Sequence, residues 1–198
     1  MQDLHKIFSS HGGYAYLQDL KDIGIHTKTI SVAMSDGVIE KLKPGLYRWI
    51  DTPVVAHQGF FDITLTVPKA VICLHSALAY YKLTLSQPSL IMAAIPREAK
   101  PPKYFYPPAE IFYFSHHLYL LGANTISEKS GRFAIYDREK TIIDCFRYRK
   151  KLGEDVAVEG IRNYLKSCQP DLNKLFEYAQ KARMERIIKP YVEALLGC

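Results

Sequence analysis

The chain has 198 residues, of which 48% are hydrophobic and 12% aromatic, so it carries enough apolar side chains for a packed core of one or two domains. This composition excludes a largely disordered chain, and the lack of an apolar run of about 18 residues excludes an integral membrane protein. The formal net charge is +6, but residues 1–50 carry six basic and five acidic side chains, so the total charge does not identify a polyanionic partner.

The N-terminal residues and the cysteines predict a cytoplasmic protein. The first six residues lack the basic-then-apolar pattern of a signal peptide. The spacing of the four cysteines favours reduced thiols over a zinc site or a disulfide framework, because none of them forms a C-x-x-C pair. These cysteines are Cys73, Cys145, Cys168 and Cys198.

The first 37 residues predict three short helices. Apolar residues at helical spacing indicate helices over residues 4–10 and 16–23, each followed by glycine. A third helix over residues 27–36 begins at Thr27, whose hydroxyl can cap the first turn. The predicted buried stripe of this helix is Ile30, Ala33 and Met34.

Residues 38–50 alternate between apolar and polar side chains on both sides of a Pro44-Gly45 turn, which predicts a β-hairpin. Three helices followed by a hairpin within about 50 residues is the order of a winged helix-turn-helix. The sequence therefore predicts an α+β protein whose residues 1–52 form a winged helix-turn-helix that binds DNA.

The remainder of the chain, residues 53–198, predicts a mixed α/β regulatory domain that ends in a helical region. A connector over residues 51–60 leads to residues 63–67, which form a short strand or the end of a helix. Further along we predict a helix over 70–83, a strand over 90–95 and a proline-rich loop over 101–108. A β-run follows over 110–115, and residues 118–121 extend it or pair with it. The C-terminal region is predicted to contain helices over 137–151, over 155–167, from 171, and over 185–196 with an interruption at Pro190.

The outward face of the third helix is the candidate recognition surface. Short hydroxyl side chains and a lysine permit close approach, hydrogen bonds to bases or phosphates, and methyl contacts with thymine. The candidate residues on this helix are Thr27, Lys28, Thr29, Ser31, Val32 and Ser35. In the hairpin, Lys41, Lys43 and Arg48 are expected to contact the phosphate backbone.

A second class of function remains open for the same region. The third helix carries no arginine that could read guanine. Winged helices also serve as protein-interaction modules. Both DNA binding and protein interaction are therefore compatible with the residues alone.

The search for catalytic motifs predicts no catalytic residue, metal or cofactor. There is no G-x-S-x-G around Ser76, no Walker loop and no G-x-G-x-x-G. The densest charged motif is Asp137-Arg138-Glu139-Lys140, with Asp144 one turn further on. A metal-dependent nuclease would need such carboxylates and a lysine to converge on a phosphate. Ordinary i,i+3 and i,i+4 ion pairs on a helix account for the same residues, and we favour this structural interpretation.

Several motifs occur in an order that resembles one family. The N-terminal ones are Leu17-x-x-Leu20-x-x-x-Gly24, Ile30-x-x-x-Met34-x-x-Gly37-x-Ile39 and Pro44-Gly45-Leu46-Tyr47. The later ones are Val67-Pro68-x-Ala70-Val71-Ile72-x-x-x-Ser76-Ala77-Leu78 and Asp137-Arg138-Glu139-Lys140-Thr141-Ile142-Ile143-Asp144. Together these segments resemble the AbiEi-type antitoxins, which are transcriptional regulators of abortive-infection (phage-defence) systems.

The resemblance implies a two-domain cytosolic antitoxin of a type IV toxin–antitoxin pair. Its winged helix would bind repeats of double-stranded DNA in its own promoter and repress the operon. Its C-terminal domain would act against a nucleotidyltransferase-like toxin encoded nearby, and a monomer that binds the repeats cooperatively is compatible with the family. The resemblance also marks Ser76, Asp137, Arg138, Glu139, Lys140 and Asp144 as signature residues with a structural or partner-binding role.

Overall fold

The computed structural model describes residues 2–52, 55–67, 69–100, 102–104, 106–128, 131–167 and 169–197. Over these ranges the protein is a mixed α+β structure with eleven helices, eight strands and two sheets. Cys168 and Cys198, which are predicted to be reduced thiols, lie outside them. Among the described helices, none is both long and apolar enough to span a bilayer.

The chain folds into two compact units. The first unit consists of Met1–Pro68, Lys100–Pro108 and Glu128–Gly131, and the second of Lys69–Ala99, Ala109–Ser127 and Arg132–Cys198. The first unit thus continues past the predicted domain boundary between residues 52 and 53, and the functional division at that boundary stays a prediction.

The first unit combines four helices with a three-stranded antiparallel sheet in its described part. Its elements are α1 (Gln2–Ser10), β1 (Tyr14–Tyr16), α2 (Leu17–Asp22), α3 (Thr27–Ser35), β2 (Ile39–Lys43), β3 (Leu46–Trp49) and α4 (Gln58–Thr66). The strand order is β1-β3-β2, so β3 is the central strand. The predicted hairpin is confirmed as β2 and β3, and Gly45 adopts the positive φ of 80° that its turn requires.

One apolar cluster joins the first three helices to this sheet. Its buried residues are Leu4, Phe8, Ala15, Leu20, Ile30, Ala33, Ile39 and Tyr47. Leu4 and Phe8 lie one turn apart on α1, which explains why the apolar spacing predicts that helix correctly. Burial of each Leu, Ile and Phe side chain of this cluster contributes about 1.5–3 kcal/mol to folding.

The second unit has a five-stranded mixed sheet and a larger helical layer. Its elements are β4 (Val71–Ile72), α5 (Leu74–Tyr80), β5 (Ile91–Pro96), β6 (Ala109–Phe114), α6 (His116–Leu120), β7 (Ala123–Glu128), β8 (Gly131–Tyr136), α7 (Arg138–Arg147), α8 (Arg149–Leu152), α9 (Glu154–Leu165), α10 (Leu172–Lys181) and α11 (Glu185–Leu196). The strand order is β6-β5-β4-β8-β7. The pairs β4–β8 and β5–β6 are parallel, whereas β4–β5 is antiparallel.

Helix α7 is the central helix of the second unit, because it packs against α5, α9, α10 and α11. Eight consecutive residues from Glu139 to Phe146 are buried, including three charged side chains. The side chains of Lys140 and Asp144 are 0% and 1% exposed and form an i,i+4 ion pair. The Lys140 ammonium also lies 4.3 Å from the ring centroid of Tyr136 and 4.7 Å from that of Phe114. These ring contacts stabilise a charge that burial would otherwise disfavour.

Four expectations for the later chain are wrong. Of the two alternatives for residues 63–67, the end of a helix is correct, because α4 ends there. The predicted connector over residues 51–60 is too long, since α4 begins at Gln58. The helix predicted from residue 70 begins only at Leu74, after strand β4. Residues 118–121 do not extend the β-run, because α6 turns the chain at His116. Helix α11 is not interrupted at Pro190, since this proline is exposed and the carbonyl that its ring leaves unpaired can be hydrated.

We predict that Lys140→Met lowers the free energy of unfolding by about 3–5 kcal/mol, because it leaves the Asp144 carboxylate buried without its partner. The measurement is urea unfolding of the full chain. The matched control is Lys181→Met, which breaks an i,i+4 pair with Glu177 whose side chains are 53% and 56% exposed. This control should cost about 0–1 kcal/mol. Equal losses in the two variants would contradict a structural role for the Lys140–Asp144 pair.

Candidate nucleic-acid interface

Helix α3 presents its candidate residues to solvent along its whole length. All six outward residues, Thr27, Lys28, Thr29, Ser31, Val32 and Ser35, are exposed. Ile30 and Ala33 are each only 1% exposed and hold the opposite side of the helix in the core. The structure therefore leaves this face accessible within the first unit.

Two details of the α3 prediction are wrong. Thr27 is not the N-cap, because the helix is preceded by His26 as the cap residue and Thr27 is its first helical residue. Met34 is not buried but 38% exposed. A helix has 3.6 residues per turn, so Ile30 and Ala33 define the buried stripe and Met34 falls at its border.

The N-terminal end of α3 is favourable for an anion. The helix has no acidic residue in its first turn, and Lys28 extends there into solvent with no ion pair to any described residue. His26, Thr27, Lys28, Thr29 and Val32 line a shallow depression at this end. The helix dipole and the free amides of the first turn favour a phosphate at such a position.

The same surface also has an apolar component. Ile23 is 54% exposed in the turn before α3, and Val32 is 50% exposed on the helix itself. Met34 is a third exposed apolar side chain of this region. Such a mixture suits thymine methyl groups, and it also suits the surface of another protein.

Arg48 in the hairpin is held inside the first unit. Its guanidinium donates to Glu40 and lies 2.6 Å from the Asp62 carboxylate, which is fully buried. It also stacks over the Tyr106 ring, 4.6 Å from the centroid. Burial opposes the charge of Arg48, but Asp62, Tyr106 and Glu40 outweigh burial and raise its pKa above the ordinary value. The side chain is thus permanently charged and already neutralised.

The two lysines of the hairpin have different surroundings. The Lys43 ammonium donates to the carbonyl of Leu65 in α4, and burial lowers its pKa. Lys41 is half-buried and lies on the same strand. Of the three cations that the sequence assigns to the wing, two are therefore engaged with α4.

The sequence does not identify Asp62, the buried partner of Arg48. Asp62 accepts hydrogen bonds from Tyr14 in β1 and from Gln58 in its own helix, in addition to Arg48. The available signal was a lone acid in the otherwise apolar helix segment Phe60-Phe61-Asp62-Ile63, because a buried carboxylate requires partners.

The signature residues of α7 do not converge on one site. Asp137 caps the helix by accepting from the Lys140 amide at 2.9 Å, and the Lys174 ammonium bridges Asp137 and Glu139 at 2.9 and 3.2 Å. The side chain of Lys140 instead pairs with Asp144. No group of three His, Cys, Asp or Glu side chains among the described residues could hold a metal ion.

The two remaining signature residues make structural contacts. The Ser76 hydroxyl is buried and accepts from the Met92 amide at 2.9 Å, which ties α5 to β5. Arg138 donates to the Gln169 carbonyl at 3.3 Å and lies beside the Tyr164 ring. These contacts explain the charged motif of α7 through packing.

Comparison with known proteins does not place the chain in a family. No family model matches it, and no curated protein is similar enough to count as a match.

We predict different costs for removing the two partners of Arg48. Asp62→Asn should lower the free energy of unfolding by about 3–5 kcal/mol, because Asp62 is fully buried and Arg48 would lose its strongest partner. Glu40→Gln should cost about 0–1 kcal/mol, since the Glu40 side chain is 31% exposed. Urea unfolding of both variants makes the comparison. A larger loss for Glu40→Gln would show that Asp62 does not anchor the hairpin.

Proposed function

We propose that the chain is a sequence-specific DNA-binding transcriptional regulator in which residues 1–52 form a winged helix-turn-helix with α3 as its recognition helix. The observation that carries this proposal is the exposed face of α3, where hydroxyl side chains and Lys28 face solvent while Ile30 and Ala33 anchor the helix. The order of three helices and a hairpin supports it, since the second helix of such a motif enters the major groove.

The chemistry of this face suits close contact with a duplex. Thr29 and Ser31 can donate and accept hydrogen bonds, and Val32 can contact a thymine methyl group. Lys28 lies at the helix start, where a backbone phosphate can accept hydrogen bonds from the unpaired amides. Base reading is therefore assigned to the middle of α3 and phosphate contact to its first turn.

The hairpin supplies fewer phosphate contacts than its three cations suggest. Arg48 is neutralised by Glu40 and Asp62, and Lys43 is bound to Leu65. We therefore assign a positioning role, rather than a phosphate contact, to Arg48 and Lys43. The proposed interface rests on α3 more than on the wing.

We predict that replacing both Lys28 and Thr29 with alanine weakens binding to the DNA upstream of the protein's own gene. Each lost base contact should cost about 1–3 kcal/mol. The loss of the Lys28 phosphate contact should also reduce the slope of log K against log salt by about 0.9. Gel-shift titrations at several salt concentrations measure both quantities.

Lys189→Ala is the control for this experiment, because Lys189 is an exposed lysine of the second unit with a side chain 60% exposed. It should change neither affinity nor slope. Unchanged binding by the Lys28/Thr29 variant would remove α3 from the interface.

A protein-interaction module is the second candidate function. The specific observation in its favour is the exposure of three large apolar side chains on and beside α3, namely Ile23, Val32 and Met34. A protein-interaction module requires that the chain show no affinity for DNA at moderate salt. The titrations of the wild-type chain thus decide between the two candidates.

We further propose, on the resemblance alone, that the chain acts as the antitoxin of a type IV toxin–antitoxin pair in phage defence. Expression of the full chain should restore growth to cells that express a nucleotidyltransferase-like toxin from the adjoining gene. The Lys28/Thr29 variant should rescue growth equally well, because this activity is assigned to the second unit. Failure of the wild-type chain to rescue growth would refute the antitoxin role and leave the DNA-binding proposal intact.

A further inference from the structure

A cavity of about 420 Å³ lies in the first unit, away from the exposed face of α3. It is formed by α1, the turn after it, β1, the end of β3, and residues between β3 and the start of α4. Its volume is in the range that small-molecule sites occupy in proteins. Neither the DNA-binding proposal nor the antitoxin proposal uses it.

Three aromatic rings form one side of this cavity. Trp49 contacts both of the other rings, with the His5 ring edge-on at a centroid distance of 5.0 Å and the Phe8 ring tilted at 5.6 Å. Phe8 is 1% exposed and forms part of the floor, whereas His5 is exposed at the rim. The faces of such rings carry partial negative charge and attract organic cations.

The remaining lining groups add fixed polar partners and one negative charge. The Tyr14 hydroxyl accepts from Gln58 and donates to Asp62, so it is held in place. Asp51 is exposed and supplies a carboxylate at the rim. Among the described lining residues there is no lysine or arginine to neutralise it.

The backbone around Trp49 holds this arrangement in place before any ligand binds. The Trp49 amide donates to the Gly13 carbonyl at 2.8 Å, and Trp49 is paired with Ile39 across the hairpin. Gly13 has a φ of 94°, and a Cβ there would lie 2.3 Å from the Thr52 hydroxyl oxygen. Only glycine therefore allows the two chain segments beside the cavity to approach this closely.

We infer that this cavity binds a small organic ammonium ion that carries an aromatic ring. The ring packs against Trp49 and His5 on the open side of the aromatic wall, and the ammonium group pairs with Asp51. The cation is selected because an aromatic wall and a carboxylate both favour positive charge, and an anion would meet both unfavourably. This inference goes beyond the proposed function and does not depend on DNA binding.

The test uses three probes of matched size, namely phenethylammonium, 2-phenylethanol and phenylacetate, which are cationic, neutral and anionic at neutral pH. Trp49 is the single tryptophan of the chain, so its fluorescence reports occupancy of the cavity directly. Phenethylammonium should bind at least about tenfold more tightly than 2-phenylethanol, and phenylacetate more weakly than either.

Asp51→Asn should remove the preference for the cation and leave the affinity for 2-phenylethanol unchanged, while Asp51→Glu should retain the preference. The control Asp19→Asn removes an exposed carboxylate of the same unit that does not line the cavity, and it should behave as wild type. Equal affinities for the three probes, tighter binding of phenylacetate, no response to phenethylammonium, or an unaltered preference in Asp51→Asn would each overturn the inference.

Discussion

The buried carboxylate of Asp62 is the constraint on which the first unit depends. A charge with no exposed side-chain surface must be paired, and Asp62 takes partners from β1, β3 and its own helix. This requirement fixes α4 against the three-stranded sheet and draws Arg48 away from solvent. It also orients Tyr14, whose pKa is raised by burial and by its hydrogen bond to Asp62. One buried acid thereby shapes both the hairpin and the wall of the neighbouring cavity.

In the second unit, the buried charges of α7 are likewise paired. Its signature motif has the composition of a catalytic cluster, yet each carboxylate has a partner on a neighbouring helix or on the helix itself. Glu139 accepts from the Tyr164 hydroxyl at 2.9 Å and pairs with Lys174, whereas Lys140 and Asp144 pair on another side. Because these contacts join α7 to α9 and α10, the charges specify how the helices pack. A strongly charged sequence motif is here explained by burial rather than by reactivity.

How much of the fold and of the candidate site the sequence predicts depends on how far apart along the chain the interacting residues lie. Local periodicity identifies α1, α2, α3 and the hairpin, and it correctly predicts that the outer face of α3 is exposed. It does not identify β8, nor β7, whose residues, such as Thr125 and Glu128, lack a clear alternation, nor α6, where His116 and Leu118 also fit a strand. The role of Arg48 was beyond sequence reasoning because its main partner lies 14 residues further along the chain, in a helix that the sequence did not clearly predict.

The engagement of Arg48 and Lys43 has a consequence for the proposed mode of DNA binding. Each phosphate contact contributes about 0.9 to the salt slope and a corresponding share of non-specific affinity. With phosphate contact assigned to Lys28, one copy of the chain would gain little affinity from the backbone and would rely on close contacts of the α3 hydroxyl groups with base edges. A single weak interface of this kind discriminates poorly against competing genomic sites. Adjacent repeats occupied by several copies would supply the missing affinity, since each bound copy raises the effective concentration of the next where copies interact.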